Sequence, residues 1–194
     1  MKPLVKILLA VILCFPLWLT AQTEVTYNLG FDFSTQTYTM SMTSNAAFTP
    51  PLSRLSSSTQ VTIVVPHVAG GWQVSNLTAL TALGWGYSYL DGTTEGLSQD
   101  YLFFAPSNAG TYSPFPIAAN APIDLFSFQS GSGCAGDLYL YDNVNDPLNA
   151  IPSINADNNT VILGAGSGNV YIGNSSGDIP CVLPCAAEAG TLSY

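Results

Sequence analysis

Tyr27-Asn28-Leu29-Gly30-Phe31-Asp32-Phe33 and Thr37-Tyr38-Thr39-Met40-Ser41-Met42, separated by Ser34-Thr35-Gln36, decide the fold class. Large apolar side chains alternate with small or polar ones in both runs. On an extended chain successive side chains point to opposite faces, so each run has one face for a core and one for solvent. The short polar break between them predicts a hairpin. Further strands are expected at Gln60–Val65, Trp72–Leu77, Gly84–Leu90, Tyr101–Ala105, Ile123–Gln129, Leu138–Tyr141, Thr160–Gly164 and Val170–Ile172. Turn residues such as Pro66, Gly70-Gly71, Asp91-Gly92, Pro106 and Asp146-Pro147 punctuate them. No stretch carries the three-to-four-residue apolar period of a surface helix. Short strands at this density predict an all-β, antiparallel β-sandwich of about nine or ten strands, with a jelly roll as the competing arrangement. Ser44–Thr59, rich in Ser and Pro, is expected to be a long connection within that one module.

The chain of 194 residues is 47% hydrophobic but only 8% charged, with a formal net charge of −9. That apolar fraction argues against disorder. The first two of the three basic residues, Lys2 and Lys6, precede the apolar run Ile7–Leu19, after which comes Thr20-Ala21-Gln22. A basic start, a short apolar core and a small residue at the cut form the pattern of a signal peptide. As a helix the run would reach roughly 20 Å, short of the ~30 Å hydrocarbon layer. Cleavage is expected after Ala21, with an uncleaved anchor as the alternative. The exported chain would keep Arg54 as its sole Lys or Arg. Phosphate backbones are held by several basic contacts, so nucleic acid and anionic membranes are excluded as partners, and no stretch after the cut is long and apolar enough to insert into a membrane.

Catalysis finds little support. His67, the only histidine, follows Pro66 at a strand end and reads as a surface or loop residue. No nucleophile triad forms around it, and one histidine does not make a zinc site. Glycoside hydrolysis needs two carboxylates, but the twelve acids are scattered at turns. Trp85, Tyr87 and Tyr89 form an alternating aromatic stripe. Gly84, Gly86 and Ser88 offer nothing to bury on the other face, which favours core packing of the stripe over an open platform for sugar rings. Tyr139 and Tyr141 are better placed to point outward, because Leu138 and Leu140 can take the core side. Asp137, Asp142, Asp146 and Asp157 lie among Asn143, Asn145, Asn158 and Asn159, an oxygen-rich set that suits calcium. Turn chemistry accounts for the same residues, and the spacing does not fit an EF-hand loop.

Cys134, Cys181 and Cys185 would remain after cleavage. An exported chain permits disulfides, and closing Cys134 to Cys181 would be worth on the order of 4 kcal/mol in the chain-entropy model. Three is odd, so one thiol lacks an internal partner. Cys185 would pair downstream if the chain continues, or bridge to Cys181 or stay free if it does not.

Four stretches carry a resemblance: Arg54-Leu55-Ser56-Ser57-Ser58-Thr59-Gln60-Val61-Thr62-Ile63-Val64-Val65-Pro66, Asp100-Tyr101-Leu102-Phe103-Phe104, Pro122-Ile123-Asp124-Leu125-Phe126-Ser127-Phe128 and Gly133-Cys134-Ala135-Gly136. As a set they resemble the first module of surface proteins from gram-negative bacteria that use type IX secretion. Such modules are similar to the cohesin and carbohydrate-binding-module superfamily of immunoglobulin-like sandwiches. The resemblance spans about Thr23 to Gly173 and implies a non-catalytic surface module; it carries no ligand residue with it.

The expected organisation is a signal peptide over 1–21, a sandwich over 22–175, and over 176–194 a linker with the start of a second module. The expected role is secreted or cell-surface recognition of a carbohydrate or a surface protein, without an organic cofactor. A structural spacer in a larger adhesin is the alternative, and a glycoside hydrolase ranks below both.

Overall fold

The computed structural model describes residues 22–107, 114–131, 133 and 136–181. The proposed signal peptide, Cys134, Cys185 and the end of the chain lie outside the described residues. The expected hairpin is present: β1 (Val25–Asp32) and β2 (Thr37–Ser44) pair antiparallel from Val25↔Ser44 to Asp32↔Thr37. The chain then adds β3 (Val61–Pro66), β4 (Val74–Ala79), β5 (Trp85–Leu90), β6 (Gln99–Pro106), β7 (Pro122–Ser130), β8 (Tyr139–Leu140) and β9 (Tyr171–Asn174). These form a five-stranded sheet in the order β4-β7-β2-β1-β9 and a four-stranded sheet in the order β5-β6-β3-β8. Among the described residues no helix is long and apolar enough to cross a membrane.

Inward residues of both sheets make the main core. Tyr27 and Leu29 of β1, Met40 and Met42 of β2, Ile63 of β3, Leu102 and Phe104 of β6, and Phe126 and Phe128 of β7 all belong to it. Phe104 bridges the two layers, its ring 4.7 Å from that of Phe126 and 5.2 Å from that of Phe128. A bulge shifts the register of β2 and β7 so that Met40 faces Phe126 while Ser41 faces Asp124. The extra residue explains why the consecutive Leu125 and Phe126 are both buried.

Two expectations need correction. Antiparallel pairing is not universal, because β9 runs parallel to β1 at the sheet edge. Thr160–Gly164 does not form a strand: Ile162 makes a single bridge to Leu55, and a 3-10 turn begins at Leu163. Gly164 and Gly166 let the chain turn there before a ladder extends.

The outer face of the four-stranded sheet is also covered. Val64, Tyr101, Tyr141 and Leu148 form a second buried cluster, with Ile151 and Ile154 packed on it. Covering on both faces explains why Val61 to Val65 are all buried. At the centre of this cover, the Asp146 carboxylate accepts from the Tyr101 hydroxyl at 2.9 Å and the Leu148 amide at 2.9 Å. Burial raises its pKa above the ordinary aspartate value, against the lowering effect of those two bonds.

A contrast between two substitutions follows. Asp146→Ala leaves the buried Tyr101 hydroxyl and the Leu148 amide without their acceptor, at about 1–3 kcal/mol each. Asp146→Asn keeps an acceptor and removes a buried charge, so at neutral pH it is expected to match or exceed the natural protein in stability. A raised folded-state pKa means that the aspartate's stability is present below its unfolded pKa of about 3.9 and lost as pH rises through the folded value. The advantage of Asn should therefore shrink as pH falls from neutral toward 4. Urea titrations at several pH values check this; an Asn variant as unstable as the Ala variant would contradict it.

Candidate functional site

The aromatic stripe of β5 divides along its length. Trp85 is buried with its ring 4.7 Å from that of Phe126, so it is a core residue and not a ligand platform. Tyr87 packs on Phe104 at 5.9 Å yet stays 40% exposed. Tyr89 donates its hydroxyl to Asp100 Oδ2 at 2.8 Å. The three therefore do not present one open surface.

Tyr139 and Tyr141 point away from the main core, as their alternation with Leu138 and Leu140 requires. The expectation that both are open contacts is corrected for Tyr141. It is fully buried, edge-on to Tyr101, and donates to Asn149 Oδ1 at 2.7 Å. The local period sets which way a side chain points, but not what covers it.

Tyr139 is only half-buried and lines a cleft of about 370 Å³ between the start of the 142–145 turn and β9. Asp142, Tyr171, Ile172, Asn174 and Asp178 line it too. Asn174 fixes its floor, donating to the carbonyls of Leu140 at 3.3 Å and Tyr141 at 3.0 Å and accepting from the Tyr171 hydroxyl at 2.6 Å. The Tyr171 ring rests on Tyr27 of the core at 4.9 Å. Asp142 closes the opposite wall as a turn acceptor, bonded by the Val144 amide at 2.8 Å and the Asn145 side chain at 2.8 Å. The Asn145 bond and then the Val144 bond hold its carboxyl below the usual range. Burial pushes the Tyr171 phenol up to about 12 and also raises that of Tyr139. Both hydroxyls thus stay protonated near neutral pH. Val144 and Ile172, 80% and 58% exposed, form an apolar rim. A larger depression of about 550 Å³ beside Arg54, Ser56 and Leu163 has no aromatic lining.

The four candidate calcium acids are dispersed among separate roles. Asp137 is exposed, and its charge contributes to raising the Tyr38 phenol. Asp142 organises its turn, Asp146 serves the Tyr101 cluster, and Asp157 accepts from Asn143. Of the candidate cysteines, Cys181 alone lies within the described residues, and it is not a free thiol. Just before it, Ile179 bridges Leu138, so the chain stays against the sandwich beyond Ser175.

His67 is the exposed loop residue expected from the sequence, and its ring lies against two acids. Its Nδ1 lies 3.0 Å from Asp100 Oδ1 and 3.6 Å from Asp91 Oδ1. Asp100 is fully buried at the start of β6, opposite Val65 and on the same side as Leu102 and Phe104. Asp91 caps the 3-10 turn Gly92–Glu95 by accepting from the Thr93 amide at 2.9 Å, and Gly96 ends that turn in the left-handed region at φ 79°. The hydrogen bond to Asp100 is the chief cause holding the His67 pKa above its ordinary value. Among the described residues these three form the group of His, Cys, Asp or Glu whose ligand atoms converge. The one available sequence signal was the inward position of Asp100, a charged residue where the strand period calls for an apolar one.

Comparison of the chain with protein-family models, with curated proteins and with solved structures yields no match.

Proposed function

We propose that this chain is a non-catalytic recognition module exported to the cell exterior, and that the cleft between Tyr139 and Tyr171 takes a neutral sugar. The single observation carrying this reading is the lining of that cleft. Two protonated tyrosines, the Asp142 and Asp178 carboxylates and an apolar rim share one opening. Sugars offer C–H faces to aromatic rings and hydroxyl donors to carboxylates, and sites of this kind combine apolar walls with a few convergent polar groups. Twelve acidic side chains against Arg54 alone in the exported chain disfavour uronic or sialic acids and leave neutral glycans as the fitting class. The basic and apolar start of the chain and the resemblance to secreted surface modules support an exterior location.

A glycan array probed with the chain beginning at Gln22 tests the reading. Binding to neutral glycans is expected. Tyr139→Ala should weaken it about tenfold or more, the equivalent of losing roughly 1.4 kcal/mol. Tyr87→Ala should leave it unchanged, since β5 and β8 are opposite edges of one sheet. An array without signal would favour the spacer role, and loss through Tyr87 alone would move the site to the stripe.

A further inference from the structure

We propose that His67, Asp91 and Asp100 bind one divalent transition-metal ion of the zinc type, through His67 Nδ1 and an oxygen of each carboxylate. The separations support this first. Nδ1 lies 3.0 Å from one carboxylate oxygen and 3.6 Å from the other, and all three ligand atoms lie within 4.8 Å of one another. Two ligands each about 2.1 Å from a shared ion stand roughly 3.0–3.4 Å apart at octahedral or tetrahedral angles. Three protein ligands with positions left for water describe an open metal site.

The hydrogen bond of the ring involves only one of the two carboxylates, while the bonds from Thr93 hold Asp91 beside it. A single Nδ1–H is satisfied by Asp100, and Asp91 at 3.6 Å is too distant for a hydrogen bond to the ring. A second carboxylate nevertheless converges there.

Charge gives an independent argument. Asp100 is 0% exposed, and a buried carboxylate is costly without a counter-charge. Arg54 is the sole Lys or Arg among the described residues, and both ion-pair contacts found among them belong to His67. One imidazole ring faces two carboxylates. A divalent ion would neutralise both acids while using the neutral ring as ligand.

The supporting shell is also in place. Asp100 is oriented by the Tyr89 hydroxyl at 2.8 Å and the Gly92 amide at 3.1 Å, and Asp91 by the Thr93 amide. Such partners fix ligand direction before an ion arrives. The His67 and Asp91 side chains, 36% and 39% exposed, leave the group open to solvent. An imidazole with two carboxylates and no thiolate suits zinc, manganese or iron better than copper(I), and the nitrogen ligand disfavours calcium.

The test uses the chelator-treated chain, titrated calorimetrically with zinc chloride and, separately, with cobalt(II) read by its visible absorption. One ion per chain is expected. His67→Gln and Asp91→Asn should each weaken zinc at least as much as the 10–100-fold typical of losing an outer-shell partner, and each should abolish the cobalt bands. Both positions are partly exposed, so circular dichroism should show both variants folded. Absence of binding in the natural chain overturns the proposal, as does zinc affinity unchanged in both variants. Response to calcium alone, surviving both substitutions, would also overturn it. No sugar enters the assay, so its outcome is separate from that of the glycan array.

Discussion

Phe104→Ala is expected to remove about 3–5 kcal/mol of folding stability, the range for truncating a buried aromatic residue. Phe104 sits where the two sheets meet, stacked on Phe126 and tilted against Phe128, with Tyr87 on its outer side. Its removal opens a void lined by rings from strands of both layers, which are hydrogen-bonded within their own sheets and cannot readily close in. Against a total stability of about 5–15 kcal/mol for an ordinary domain, the loss would shift most of the margin. Tyr87→Ala removes a ring of similar size from the same stack, but one already 40% in water, and is expected to cost about 1 kcal/mol or less. Urea denaturation of the two variants side by side measures the difference. Equal losses would mean that the inter-sheet stack is not the centre of the core.

Gly92→Ala is the second large effect. A Cβ built at Gly92 would stand 1.8 Å from the carbonyl oxygen of Gln99, a backbone atom in the ladder of β6 and unable to rotate away. Either the 92–95 turn or the start of β6 must move. Overpacking costs typically about 1–3 kcal/mol, and rigid backbone on the far side puts this case at or above the upper end. The displacement would also pull the Gly92 amide from Asp100 Oδ1, now 3.1 Å away, and shift Asp91 relative to His67. The variant should therefore lose thermal stability and weaken zinc binding together. A stable Gly92→Ala chain with full zinc affinity would show that the turn is not coupled to the His67 group.

Much of the strand plan was legible in the sequence because its signal is local. Tyr27, Leu29, Tyr38, Met40 and Met42 each point inward for a reason contained in their own neighbours. Thr160–Gly164 shows the limit: its composition suits a strand, but a strand needs a partner, and the one bridge to Leu55 is followed by glycines that turn the chain away. The parallel pairing of β9 with β1 left no mark in the sequence either, since a strand's alternation is the same in both directions.

The sites show the division more sharply. Outward pointing of Tyr139 and Tyr141 follows from Leu138 and Leu140. That Tyr141 disappears under the 147–156 cover while Tyr139 opens into a cleft with Tyr171 depends on where distant segments are laid down. His67, the single histidine, has no sequence neighbour to act with. Asp91 and Asp100 reach it only because β3, β5 and β6 lie side by side in one sheet, with Pro66 opposite Gln99 and Leu90 opposite Tyr101. By itself the sequence determined the all-β class, the hairpin, the faces of the strands and the acidic character of the surface, each a matter of adjacent residues or of composition. Tertiary structure alone decided the cleft and the His67 group, because both are made by strand order and register, which bring together side chains that no local period relates.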